Sequence, residues 1–176
     1  MLLCLLTLAA APTWAHAQAP NEYHVKAAFL YNFAKFVEWP SDPPNEPIVI
    51  GIIGKDPFGG ALEEAIRGKT VKGRKLAAQH LKAGQDPRGC QIIFISASEQ
   101  KRLRSILADL NGAGVLTVGD TEGFAEAGGM INLTIVDQRV HFEINPDAAQ
   151  RAGMKISSKL LSLAKIVKVA EGPGNH

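Results

Sequence analysis

Two short stretches of this 176-residue chain are apolar residue after residue, not at alternate positions: residues 48–53 (IVIGII) and Ile92-Ile93-Phe94-Ile95 within 91–95. A third, 115–118 (VLTV), is nearly so. A strand with only one wet face alternates, whereas an unbroken run is buried on both faces and needs layers on both sides of its sheet. The chain must therefore supply helices between and around these strands.

It does. Val25, Ala28, Phe29, Phe33, Phe36 and Val37 recur at spacings of three and four, which predicts an amphipathic helix over 21–39, stopped by Pro40. The proline-rich stretch 41–47 reads as an irregular connection. A helix is expected over 57–67, with Pro57 at its entry and Gly68 beyond its end, then a more polar strand over 71–80. Ser98 opens a further helix through Leu103, Ile106, Leu107 and Leu110, ended by Asn111-Gly112. Residues 119–129 form a glycine-rich excursion with one helical turn around Phe124, and 131–136 with 139–144 form a hairpin across Asp137-Gln138. Asn145 or Asp147 caps a short helix ending at Gly153, and Ser157 or Ser158 caps a last one carrying Leu160, Leu161, Leu163, Ala164 and Val167. This order predicts a single three-layer, Rossmann-like α/β domain with a mixed sheet, helices on both faces, a C-terminal hairpin and terminal helices.

Residues 2–11 are almost wholly apolar and lead to Ala15-His16-Ala17, the small-x-small pattern of a signal peptidase site. Residues 1–17 read as a signal peptide and 18–176 as the domain. The apolar run is half of the roughly 20 residues that span a bilayer, so the expected product is exported without membrane insertion. Cys4 stands too early in the run for lipid attachment. Cys90 is then the one thiol of the exported chain, read as buried because it leads into the apolar run at Ile92, with an intermolecular disulfide or a free, reactive thiol as the alternatives.

The chemistry-bearing patterns are thin. With 19 Lys plus Arg against 17 Asp plus Glu, the charge surplus is too small to favour nucleic acid. Gly51 to Asp56 lacks the spacing and the hydroxyl of a phosphate loop, and no G-x-G-x-x-G or G-x-S-x-G occurs. The histidines after residue 17 are far apart, so no local metal motif forms and no metal or cofactor is expected. Cys90 with His141 as a nucleophile and base has no supporting pattern, and Glu143 with Asp147 reads as a strand edge and a helix cap. The expectation is a non-enzymatic binding protein. Its first helix carries Phe29, Tyr31, Phe33, Phe36 and Trp39, and its last carries leucines among lysines. Both suit either core or a partner interface.

Residues 25–40 (VKAAFLYNFAKFVEWP) resemble the opening of the YfiR-like family. Residues 89–95 (GCQIIFI), 116–120 (LTVGD) with 128–133 (GGMINL), and 142–145 (FEIN) with 157–164 (SSKLLSLA) resemble later blocks of the family in the same order. The resemblance implies a periplasmic repressor that binds the periplasmic sensory domain of an inner-membrane diguanylate cyclase and lowers cyclic di-GMP output and biofilm formation. It also implies sequestration by an outer-membrane, peptidoglycan-associated lipoprotein. Some members have further cysteines that form disulfides; after residue 17 this chain has only Cys90. A homodimer is expected, with Phe33, Phe36, Trp39, Leu160 and Leu163 as candidate partner contacts. The alternative is a periplasmic small-ligand sensor that binds through the loop 119–129 and feeds another membrane signalling protein.

Overall fold

The computed structural model describes residues 20–168 apart from 42, 44, 83 and 84, so the reading of 1–17 as a signal peptide lies outside the described residues. The unbroken apolar runs form the middle of an eight-stranded mixed sheet. They are β2 (Ile48–Ile53), β5 (Ile92–Ile95) and β6 (Leu116–Gly119). Around them lie β3 (Thr70–Val71), β4 (Arg74–Leu81), β7 (Ile131–Val136), β8 (Arg139–Ile144) and β10 (Lys165–Ile166), in the order β10-β8-β7-β6-β5-β2-β4-β3. Neighbours from β4 to β7 are parallel, while β7–β8 and β3–β4 are antiparallel hairpins. Two further strands, β1 (Val37–Glu38) and β9 (Lys155–Ile156), pair separately.

Both faces of the sheet are covered, as the runs require. Ile48, Ile50, Ile52, Ile92 and Phe94 face a core shared with α1 (Pro20–Phe36) and α2 (Ala61–Ile66). The intervening Ile93 and Ile95 face a second core with α3 (Leu103–Asp109), Cys90 and Phe124. The excursion after β6 exists to seat Phe124, whose ring is fully buried between two glycines. A Cβ on Gly119 or Gly129 would come within 2.3 and 2.1 Å of that ring.

Several local expectations shift. The helix expected from Pro57 begins only at Ala61, and Ser96, not Ser98, caps the 3-10 turns that lead into α3. The first helix ends at Phe36, because Val37 and Glu38 pair with Ile156 and Lys155 instead of continuing the spiral. Its buried stripe is Lys26, Ala27, Leu30, Phe33, Ala34 and Val37; Ala28 is exposed, and Val25, Phe29 and Phe36 lie at the margins. The polar strand is a hairpin: Lys72 and Gly73 both have positive φ, the two-residue turn that joins β3 to β4. The last helix is the single turn α5 (Ser158–Leu161), capped by Ser157, after which the chain turns into β10 beside β8. Asn145 caps α4 (Pro146–Arg151) as expected, accepting from the Ala148 N–H at 3.0 Å. Among the described residues no helix is long and apolar enough to cross a membrane.

Candidate functional site

The ladder between β6 and β7 ends at Gly119 with Asn132, yet β7 stays paired to β8 as far as Val136 with Arg139. The hairpin therefore overhangs the C-terminal ends of the parallel strands, the place where ligands enter open α/β sheets. A cleft of about 560 Å³ opens there, walled by Tyr23, Lys26, Asp120, Asn132, Glu143 and Lys165.

Asp120 follows directly on β6 and points its carboxylate at α1. Its Oδ2 accepts from Lys26 Nζ at 2.8 Å and from the Tyr23 hydroxyl at 2.9 Å. Glu22, one helical turn before Lys26, shares the ammonium, which also lies 4.5 Å from the centroid of the Tyr23 ring. The side chains of Lys26 and Asp120 are 4% and 3% exposed. A lysine on the buried stripe of a helix is thus matched by an aspartate at a strand end, as a buried charge requires.

The opposite wall is set by strand register. Asn132, Glu143 and Lys165 occupy one row across β7, β8 and β10. Asn132 Nδ2 donates to Glu143 Oε2 at 3.2 Å, and Lys165 Nζ donates to Glu143 Oε1 at 2.8 Å. Burial alone pushes the Glu143 carboxyl up, but the hydrogen bonds from Lys165 and Asn132 and the Lys165 charge together outweigh it and hold the group below the usual carboxylate range. The same contact pushes the Lys165 ammonium up. Two buried oxygens in these walls, Asp120 Oδ1 and Asn132 Oδ1, receive no donor among the described residues. Each such acceptor costs about 1–3 kcal/mol until a donor reaches it.

A second cleft of about 550 Å³ lies beyond the ends of β2 and β4. Its Asp86, Arg88 and Arg102 side chains are solvated. Among the described residues no group of His, Cys, Asp and Glu is placed to hold a metal ion.

The sequence-predicted contact residues are not gathered in one place. Phe33, Trp39 and Leu160 are core: Phe33 meets Phe142 edge-on with ring centroids 5.5 Å apart, and the Trp39 indole donates to the Gln91 carbonyl at 2.8 Å. Phe36 is half-buried, with Lys35 and Lys159 ammonium groups each 5.7 Å from its ring. Leu163 is 69% exposed, on the turn between α5 and β10. Cys90 is buried in the second core, and that burial pushes its thiol up, away from the reactive thiolate. Glu143 is tied to Lys165 and Asn132, not to Asp147. Sequence reading missed Lys26 with Asp120 and the row of three. The available signal was Lys26 itself, in step with Leu30, Phe33 and Val37 on one helix face.

A family model described as YfiR/HmsC-like matches residues 23–165, a span that takes in both walls of the cleft. Among solved structures, the chain is similar to a conserved domain protein of Vibrio cholerae O1 biovar El Tor, with a TM-score of 0.59 and 13% identity over 82% of this chain and 59% of that one. It is also similar, at a TM-score of 0.49 and 11% identity, to the ABC domain from Streptococcus pneumonia in complex with L-Trp, over 68% of this chain and 55% of that one. The chain spans less than two thirds of the length of either. At such identities the first likeness speaks for the α/β fold alone.

Proposed function

This chain belongs to the YfiR/HmsC-like family, a periplasmic and regulatory one, and from that premise we propose that it is a non-enzymatic repressor. It binds the periplasmic sensory domain of an inner-membrane diguanylate cyclase, lowers cyclic di-GMP output and so restrains biofilm formation. The match over residues 23–165 is the observation that carries this reading. The apolar run 2–11 and the cleavage pattern ending at Ala17 support export. An outer-membrane, peptidoglycan-associated lipoprotein is the partner that would draw the repressor away, and the working form is a homodimer. Repression by contact needs a surface that fits one state of the cyclase better than the other; a preference of about 3 kcal/mol moves the balance by two decades. Phe36 and Leu163 are the predicted contacts that solvent reaches, and they are retained as partner contacts here.

The test is capture of detergent-solubilised inner membranes on the tagged chain, with elution assayed for diguanylate cyclase. Retention of a cyclase by a chain that has no turnover of its own supports the reading. Turnover by the purified chain alone, or membranes that pass through without a cyclase, would overturn it.

The cleft under the hairpin favours a second role beside the first, binding of a small periplasmic ligand. Asp120 Oδ1 and Asn132 Oδ1 want donors, so a ligand with N–H or O–H groups suits the cleft. A ligand-dependent rise in melting temperature that disappears in Asp120→Asn and Asn132→Leu is the expected result. Equal shifts in both variants and the unaltered chain would dismiss it.

A further inference from the structure

The outer strand β4 is eight residues long, but β3 covers only its first two, Arg74 and Lys75. From Leu76 to Leu81 its inner side is laddered to β2, and among the described residues no strand lies on its outer side. In a two-residue hairpin the residues flanking the turn exchange both backbone hydrogen bonds, so Arg74 faces β3. By alternation Leu76, Ala78 and His80 direct their N–H and C=O groups to the open side. Proteins ordinarily blunt such an edge because it invites another strand.

Beside this edge runs a groove of about 450 Å³ between α2 and β4, lined by Ile66, Arg67, Lys69, Lys75, Leu76 and Ala78 together with Glu63. Its lining carries three cationic residues and one carboxylate. Arg67 and Lys75 make no ion pair among the described residues, and Lys69 stands 4.5 Å over the Tyr31 ring. The charge decides between occupants. An extended segment with acidic side chains complements the cationic residues Arg67, Lys69 and Lys75 of this lining.

We propose that the outer edge of β4 and its basic groove form a docking site for an extended, acidic strand of a partner protein, which adds to the sheet as a ninth strand. Backbone hydrogen bonds to Leu76, Ala78 and His80 give the register, and Arg67, Lys69 and Lys75 select for carboxylates. This inference rests on the reading of the chain as a contact regulator and names the place and chemistry of one contact.

The test uses acetyl-Glu-Val-Glu-Val-Glu-Val-Glu-amide as probe and amide hydrogen exchange of the chain as readout. Exchange at Leu76, Ala78 and His80 should slow about tenfold or more with the probe, and a version N-methylated at alternate residues or with Lys for Glu should have no effect. Ala78→Pro removes an outward N–H without touching the β2 ladder and should abolish the response; Arg67→Glu with Lys75→Glu should weaken it about tenfold. Overturning results are amides already protected in the chain alone, no response to the acidic probe, an equal response to the N-methylated one, or a dimer that dissociates in Ala78→Pro. A membrane cyclase captured equally by the unaltered chain and by Ala78→Pro would sink this inference and leave the contact reading standing.

Discussion

The two edges of the sheet are finished in opposite ways. At one, β10 is only two residues long, its Lys165 is held on Glu143, and the Val167 N–H reaches the Ile144 carbonyl at 2.8 Å. A short strand with a lysine on it is a blunted edge. At the other, β4 presents six residues with nothing laddered to their outer side among the described residues. Three buried charged side chains, Lys26, Asp120 and Glu143, sit close to the blunted end with Asn132, whereas the buried Arg74 of β4 is satisfied by the Glu46 and Pro47 carbonyls alongside. One end therefore holds the fold together through matched polar groups, and the other leaves its backbone available. Substitutions should separate the two by size of effect.

The largest loss is expected at the closed end. Lys26→Met strands the Asp120 carboxylate in the core and should cost about 3–5 kcal/mol in urea denaturation at neutral pH, much of it recovered when Asp120→Leu is added. An additive double variant would break the pairing argument. Next, Gly129→Ala drives a methyl into the Phe124 ring and should cost about 1–3 kcal/mol, with partial rescue by Phe124→Leu.

A smaller, pH-marked effect belongs to Glu143→Gln, about 0.5–1 kcal/mol after allowance for the exposure of Lys165. The Glu143 carboxyl is held below its ordinary value of 4.5, so its contribution is present above that value and is lost as pH falls through the lower folded value. The Lys165 ammonium is pushed above 10.5, so the contact persists to that pH and fades beyond it. The stability difference between wild type and variant should be flat between these limits and shrink in acid; a difference unchanged well below pH 4 would contradict it. The smallest effect is expected at the open end. Ala78→Pro should change stability by less than about 1 kcal/mol, since no ladder bond of the sheet is removed. A loss as large as that of Lys26→Met would show that something already covers β4.

The closed end and the open end were not equally legible in sequence. Residues 48–53 and 92–95 announce their strands because every position is apolar, and Asn145 and Ser157 announce helix starts through their side-chain oxygens. The hairpin at Lys72-Gly73 was hidden because a lysine carries no turn signal, although its φ is 51° here. The leucines after Ser157 have helical spacing, but pairing of Lys165 and Ile166 with β8 overrides it. The row of Asn132, Glu143 and Lys165 depends on register between strands far apart in the chain, which local pattern does not encode. Lys26 was readable in principle, since a charge in step with a buried stripe asks for a counter-charge.

As proposed, this protein holds a cyclase down through contact outside the cytoplasm. Cyclic di-GMP measured in cells lacking the chain, and in the same cells with it restored, is the decisive readout. A rise on removal and a return to the starting level on restoration are expected. Levels that do not respond to either step would contradict the proposal.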